Sequence, residues 1–202
     1  MRRAPFALAT LVVALAVSAC GTKSESVPAL TVGATSFAGG ELDPPKPLPD
    51  FTLHDQSGQK VSLQAQRGKV VLVTFLYTHC PDVCPLITQN LVQALGQLGP
   101  ARDDVRVLAV SVDPEGDTPK SVEKFAKAHH LPPQFHYLTG SRAELSKIWK
   151  AYDVAAIAND PGLVDHTAYT MLADRSGEGR VIYDSQVKAV DVVHDVRLLL
   201  GS

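Results

Sequence analysis

The chain has 202 residues, of which 45% are hydrophobic, and its 19 basic and 21 acidic residues give a formal net charge of −2 at pH 7. The sequence shows no basic cluster or stripe, which argues against a nucleic-acid partner. It also contains no internal repeat and no glycine-rich nucleotide fingerprint. With three cysteines the chain is poor in that residue, so the chemistry of each cysteine has to be explained.

The N-terminus predicts export. Arg2 and Arg3 precede an apolar run over residues 4–16, and small residues follow up to Cys20. This order is typical of a secretory signal peptide. The run is shorter than the ~20 apolar residues that a membrane-spanning helix needs. We therefore predict that residues 1–19 are a signal peptide and that the mature protein lies outside the cytoplasm, in a periplasm or on the outer face of the cell membrane.

Cys20 directly follows a Ser-Ala pair, which resembles a bacterial lipobox. In such a motif the cysteine is acylated and becomes the new N-terminus, and the lipid tethers the protein to a membrane surface without crossing it. An ordinary signal peptide with a chance cysteine ranks second, because a free exposed thiol is a liability outside the cell. An uncleaved membrane anchor ranks third. The sequence favours a lipoprotein and leaves the other two possibilities open.

The folded domain is predicted to begin near Pro47. Residues 21–46 lack periodicity and are rich in Gly, Ser, Thr and Pro, which is typical of a flexible spacer. We therefore predict that residues 20–46 comprise the lipidated cysteine and a linker. The length of the remaining segment, residues 47–202, suits one compact domain.

Strands and helices alternate along this domain. An N-terminal hairpin is predicted for FTL and VSL, and strands buried on both faces are predicted for KVVLVTFLYT and DVRVLAVSVDP. Helices are predicted for CPLITQNLVQALGQL, TPKSVEKFAKAHHL and SRAELSKIWKAYDV, the last with Ser141 and Glu144 as a capping box. A second hairpin is predicted for HTAYTMLADRSGEGRVIYDS, and a final helix for AVDVVHDVRLLL. The alternation predicts an α/β fold with a parallel centre and an antiparallel hairpin.

Two cysteines, Cys80 and Cys84, lie in YTHCPDVCPLI, where a buried strand is predicted to end and a helix to begin. Open α/β sheets bind ligands at this edge. Cys84 would occupy the first helical turn, where the helix dipole and unpaired N–H groups favour a thiolate at neutral pH. A disulfide would close a very small ring and stabilise little. The pair therefore indicates either reversible redox chemistry or a soft metal such as Cu(I) or zinc.

Three segments resemble the Sco (SenC) family: TFLYTHCPDVCPLI, SVDPEGDTP at residues 111–119, and VDHTAYTMLAD at residues 164–174. The resemblance extends from Pro47 to the C-terminus. It implies a membrane-tethered, thioredoxin-like domain with a central mixed β-sheet flanked by helices. It also implies a copper metallochaperone for the copper A centre of cytochrome c oxidase, with the oxidase subunit as partner. A second copper chaperone or a thiol reductant would be a further partner.

The resemblance also implies the ligands. Copper, as Cu(I) or Cu(II), would be bound by both cysteines of CPDVCP, Cys80 and Cys84, and by the histidine of the DHT segment, His166. The residues alone do not single out this histidine among seven, because a single histidine is more often structural than a ligand. It is predicted to start a strand directly after AIANDPGLVD.

Several neighbouring residues have simpler interpretations. His79 is predicted to point away from the metal, although it could lower the pKa of the adjacent cysteine or act as a secondary ligand. Asp82 is predicted to be solvated. Asp113 and Pro114 are predicted to shape a turn at the same sheet edge. His136 lies between two aromatic residues and is predicted to face solvent.

Two functions use the predicted site. A metallochaperone carries copper and catalyses no turnover, whereas a thiol–disulfide oxidoreductase would use Cys80 and Cys84 as a redox-active pair to reduce the target's cysteines. A peroxidase of the peroxiredoxin type would share the fold, but it usually has a threonine three residues before the reactive cysteine, and Thr78 lies two before. His166 favours copper, because a pure oxidoreductase has no use for it. Both roles can coexist on one dithiol.

Overall fold

A computed structural model describes residues 36–160 and 163–201 of the chain. This part of the chain contains ten strands, four α-helices and two short 3₁₀ helices, the last at Gln64–Gln66 and Gly99–Asp104. The strands are β1 (Gly40–Pro47), β2 (Thr52–His54), β3 (Lys60–Ser62), β4 (Val70–Leu76), β5 (Val105–Ser111), β6 (Phe135–Leu138), β7 (Ala156–Asp160), β8 (Leu163–His166), β9 (Thr170–Ala173) and β10 (Glu178–Tyr183). The α-helices are α1 (Val83–Gln97), α2 (Pro119–Ala128), α3 (Arg142–Ala151) and α4 (Ala189–Leu200).

The centre of the domain is a six-stranded mixed sheet with the strand order β1-β10-β9-β4-β5-β6. All seven residues of β4 are buried, and the strand pairs in parallel with β5 and antiparallel with β9. A strand covered on both faces carries apolar residues at successive positions and does not alternate with polar ones. This is the physical reason why KVVLVTFLYT reads as a continuous apolar run. The predicted α/β architecture with an N-terminal hairpin, formed by β2 and β3, is confirmed.

The helix starts follow the local chemistry of the sequence. The Thr118 side chain accepts a hydrogen bond from the Ser121 N–H, and Pro119 occupies the first turn of α2. The predicted capping box of Ser141 and Glu144 is present at the start of α3. Such caps satisfy N–H groups that the first helical turn leaves unpaired, so they fix the helix boundaries.

The domain begins earlier than predicted, because residues 40–46 belong to β1 and pair with β10. Gly39 approaches β10 so closely that a Cβ would lie 2.4 Å from the Val181 Cγ1 atom. The fully buried carboxylate of Asp195 on α4 accepts hydrogen bonds from the backbone N–H groups of Ala38 and Gly39, at 2.7 and 3.0 Å. The composition of residues 40–46 is typical of a spacer, yet these residues form a strand, because their backbone pairs with β10.

The prediction that His136, on β6, faces solvent is wrong, because its side chain is 19% exposed and contacts Asp55. Its Nδ1 atom lies 3.1 Å from Oδ2 of Asp55, a buried residue in the turn of the β2–β3 hairpin. Several hydrogen bonds, from the Ser57 side chain, from His136 and from backbone N–H groups, outweigh burial and hold the pKa of Asp55 below its usual range. The histidine therefore helps to dock the hairpin on the edge of the sheet.

The predicted signal peptide and Cys20 lie outside the described residues. No helix within residues 36–160 and 163–201 is long and apolar enough to cross a membrane.

Candidate metal centre

The two cysteines lie at the carboxyl end of the central strand. β4 ends at Leu76 and α1 begins at Val83. The connecting segment, residues 77–82, carries Cys80 and is called the dithiol loop here, and Cys84 follows it in the first turn of α1. Cys80 is 9% exposed and Cys84 is fully buried. The predicted position of the pair, at a strand end and a helix start, is confirmed.

Hydrogen bonds converge on the sulfur of Cys80. The thiol of Cys84 donates to it, and this is the largest of the effects that lower the pKa of Cys80 to about 5 against the opposing effect of burial. Backbone N–H groups of Asp82 and Cys84 also donate, the second with an N···S distance of 3.4 Å. These N–H groups belong to the start of α1, so the positive end of the helix dipole acts on the Cys80 sulfur. Cys80 is therefore a thiolate at neutral pH.

Cys84 has the opposite character, and the prediction that it carries the thiolate is wrong. Its pKa is raised, first because its thiol donates to Cys80 and second because it is buried. The sequence places this residue correctly in the first turn of α1, but the unpaired N–H groups of that turn point to the other sulfur. The hydrogen bonds of the pair therefore favour the proton on Cys84.

His166 comes from a different element, the β7–β8 hairpin. The residue ends β8 and does not start β9, which begins four residues later at Thr170, so the predicted strand start is wrong. Its Nε2 atom lies 3.7 Å from the sulfur of Cys84. Its Nδ1 atom lies 3.2 Å from the carbonyl oxygen of Thr167, which can only accept, so Nδ1 carries the proton and the Nε2 lone pair faces the sulfur. Burial lowers the pKa of His166, which keeps the ring neutral at neutral pH.

The donor set suits a soft metal ion. Two thiolates and a neutral imidazole are ligands for Cu(I) or zinc. Two atoms bound to one ion at about 2.0–2.3 Å and separated by an angle near 120° lie about 3.7 Å apart, which matches the distance from Cys84 to His166. Cys84 contacts each of the other two, but no three side chains of ligand type already converge as a cage in the described parts of the chain. Coordination by all three would therefore require Cys80 and His166 to close on a common ion.

Tyr77, three residues before the first cysteine, links the dithiol loop to the hairpin. Its ring meets that of His166 edge-on, with centroids 5.8 Å apart and an interplanar angle of 83°. Its hydroxyl accepts the backbone N–H of Val164 and donates to the sulfur of Cys80, and burial is the main cause that raises the pKa of Tyr77 to about 12. Sequence reasoning missed this residue, because a tyrosine that ends an apolar strand looks like ordinary core.

The sequence also singles out His79, Asp82 and Asp113 near the dithiol. His79 is exposed and its Nδ1 atom lies 3.1 Å from the Thr78 hydroxyl oxygen, so its contact is with the neighbouring side chain. Asp82 is exposed, as predicted. The Asp113 carboxylate accepts the N–H of Gly116 at 3.0 Å and so closes the turn that follows β5.

Fold and site together define a class: a thioredoxin-like domain with a dithiol at a strand-to-helix junction and a histidine presented by a neighbouring hairpin. The chain belongs to the SCO1/SenC family, whose family model matches residues 40–201. The solution structure of apo Sco1 from Thermus thermophilus is 37% identical, with a TM-score of 0.70, and the match covers 82% of this chain and 98% of that one.

Two further solved relatives bear on the site. ScoI of Bradyrhizobium japonicum with copper bound is 32% identical over 75% of this chain and 98% of that one, with a TM-score of 0.66. BsSco, described as a member of the Sco family of cytochrome c oxidase assembly proteins with a disulfide switch, is 30% identical over 79% and 97%, also with a TM-score of 0.66. The chain spans less than two thirds of some longer relatives, for example 44% of the human mitochondrial SCO1 homolog.

Proposed function

We propose that this domain is a copper metallochaperone that binds copper through Cys80, Cys84 and His166. The observation that carries the proposal is the 3.7 Å contact between the Cys84 sulfur and the unprotonated Nε2 atom of His166. A neutral imidazole turned toward a dithiol completes a donor set for a soft metal ion, whereas exchange between two cysteines and a target disulfide does not require it. Membership of the family and the copper-bound relative from Bradyrhizobium japonicum support the same assignment.

The proposed recipient is the cytochrome c oxidase subunit that carries the copper A site. Support comes from the related BsSco, which is described as a member of a family of cytochrome c oxidase assembly proteins. A copper donor or a thiol reductant would act before delivery, because the dithiol has to be reduced before it can bind the metal.

A thiol–disulfide oxidoreductase is the second candidate, and a specific feature of the dithiol favours it. A thiolate at Cys80 beside a thiol at Cys84 is the arrangement that attacks a target disulfide and then resolves the mixed disulfide. The disulfide switch described for the related BsSco is in keeping with this chemistry. Both functions use the same two sulfurs, so an experiment that distinguishes them has to change His166.

A His166→Ala variant is expected to weaken Cu(I) binding by more than the about 10–100-fold that is typical of changes outside the ligand shell. The Cys80–Cys84 disulfide should still form, because the two cysteines contact each other without the histidine. Competition with a Cu(I) chelator measures the affinity, and thiol alkylation followed by mass spectrometry measures the disulfide. His79→Ala is the matched control, since this exposed histidine contacts a threonine hydroxyl. Unchanged copper affinity in His166→Ala would put the oxidoreductase first.

We also propose that the mature protein is a lipoprotein that is tethered outside the cytoplasm through an acylated Cys20. A Cys20→Ser variant is expected to lose the lipid, and it should either move from the membrane fraction to the soluble fraction or accumulate with its signal peptide uncleaved. Mass spectrometry of the mature N-terminus is the measurement. An unmodified mature N-terminus at another residue would contradict acylation, and a uniformly uncleaved wild-type chain would instead support a membrane anchor.

A further inference from the structure

A buried carboxylate lies directly behind the dithiol loop. Asp117 follows β5 in the turn that leads to α2, and it is only 4% exposed. Its Oδ1 atom accepts the backbone N–H of Thr78 at 2.8 Å. Its Oδ2 atom accepts the hydroxyl groups of Ser111 at 2.5 Å and of Tyr137 at 2.8 Å. The carboxylate thus joins the ends of β5 and β6 to the backbone of the dithiol loop.

Such a group is costly to keep. A buried carboxylate destabilises a fold unless hydrogen bonds satisfy it, and a fully satisfied polar network specifies one arrangement of the groups that form it. Burial raises the pKa of Asp117. Hydrogen bonds from the Ser111 and Tyr137 hydroxyls, and from both the backbone and the side chain of Thr78, oppose that effect. The arrangement specified here includes the backbone immediately before Cys80, so the network has a consequence for the site.

The dithiol loop is held from two sides. Toward the β7–β8 hairpin, the hydroxyl of Tyr77 accepts the backbone N–H of Val164, and the ring of the tyrosine contacts His166. Toward β5, the next backbone N–H along the chain, that of Thr78, is held by Asp117. The direction in which the loop leaves β4 therefore depends on the carboxylate.

We propose that Asp117 is a positioning residue for the metal centre, which holds the backbone of Thr78 so that Cys80 stays on the N–H groups of α1 and Cys84 faces His166. The inference rests on the proposed function insofar as it concerns the same three ligands. Asp117 contacts none of them by a described hydrogen bond. Its charge contributes to the raised pKa of Cys84, and its hold on the loop backbone is separate from that effect.

The test compares Asp117→Ala with Asp117→Asn in the full domain. Asparagine keeps an oxygen that accepts the Thr78 N–H, and its amide can donate to the oxygens of Ser111 and Tyr137, whereas alanine holds nothing. We expect Asp117→Ala to weaken Cu(I) binding at least tenfold and Asp117→Asn to stay within threefold of wild type. A chelator competition assay gives both values. Equal losses in the two variants would mean that the charge matters and not the position, and would overturn the proposal, as would wild-type affinity in both.

A second measurement does not involve copper and so separates this inference from the proposed function. The dithiol–disulfide equilibrium of Cys80 and Cys84 is measured against dithiothreitol. In Asp117→Ala the Cys80 thiolate should lose its N–H donors, so we expect a tenfold shift toward the disulfide, which corresponds to about 30 mV. No shift would overturn the proposal even if copper binding were absent in wild type.

Asp195→Ala is the matched control. This residue is also a buried carboxylate that accepts two backbone N–H groups and one tyrosine hydroxyl, that of Tyr183 at 2.7 Å, but it is on α4. The Asp195→Ala variant should melt at a lower temperature than wild type and yet keep the wild-type copper affinity and the wild-type dithiol–disulfide equilibrium. Equal losses in the control would reduce the role of Asp117 to general stability. If Asp117→Ala fails to fold, Asp117→Leu, which fills the space but accepts no hydrogen bond from the Thr78 N–H, takes its place with the same expected results.

Discussion

A Cys84→Ala variant is expected to lose tight copper binding and the intramolecular disulfide together. Cys84 is the common neighbour of the other two proposed ligands, because it donates to the Cys80 sulfur and its own sulfur lies 3.7 Å from His166. Its loss also removes the hydrogen bond that is the largest cause of the lowered pKa of Cys80, so that pKa should rise from about 5 toward its ordinary value. The alkylation rate of Cys80 as a function of pH measures the change.

The control for this variant lies one turn further along α1. Thr88 is fully buried, and its hydroxyl has no hydrogen-bond partner within the described structure. Thr88→Ala therefore removes a side chain of similar size from the same helix without removing a sulfur. It should retain copper binding and disulfide formation. Tight copper binding in Cys84→Ala would place the metal elsewhere, and a low pKa for Cys80 in that variant would contradict the hydrogen-bonded pair.

Oxidation and acid are both expected to prevent copper uptake, because each removes thiolates. Copper at ~100 times its dissociation constant should stabilise the reduced domain by about 2.7 kcal/mol and raise its melting temperature. The disulfide form should take up no copper and show no such increase. In an oxidising compartment the copper-free protein should therefore need a reductant before loading. Thermal melting with and without Cu(I), together with alkylation of the cysteines, measures these effects.

The pH dependence follows from the directions of the pKa shifts. At neutral pH the Cys80 thiolate and the neutral His166 need lose no proton, whereas Cys84 must lose one when a metal binds. The association constant should therefore rise roughly tenfold per pH unit near neutrality. Below the Cys80 pKa of about 5 a second proton has to leave, and below the lowered pKa of His166 a further one, so the dependence should steepen to roughly a hundredfold per unit or more. Copper uptake by the oxidised domain equal to that of the reduced domain, or affinity independent of pH, would contradict thiolate ligation.

The sequence predicted those features that depend on neighbouring residues. The buried run of β4 and the capping box of Ser141 and Glu144 are local patterns, and each is present where it was expected. The placement of Cys80 and Cys84 at a strand end follows from the same local reasoning. In each case the physical cause acts over a few residues, so the pattern is visible in the chain itself.

The features that escaped prediction depend on contacts between distant segments. The thiolate is favoured on Cys80 by the hydrogen bond from the Cys84 thiol and by N–H groups from the start of α1, and the helical position of Cys84 alone does not reveal this. His136 is bound to Asp55, a residue 81 positions away. Asp117 is only an acidic residue in a turn until the fold brings the Thr78 backbone to it. Its position in the turn that follows a strand at the ligand-binding edge is the one signal that could have identified it.

The pairing of β1 with β10 also constrains the order in which the molecule can be completed. The bond from the Ala38 N–H to Asp195 spans 157 residues, so the segment that leads into β1 is synthesised long before its partner exists. Closing such a long loop is slow compared with forming local helices and hairpins. Until then β1 is an unpaired strand, and its three prolines, at positions 44, 45 and 47, remove N–H donors that another chain could otherwise use. We therefore expect the first strand of the domain to be among the last to be incorporated, and we expect its prolines to limit aggregation until then.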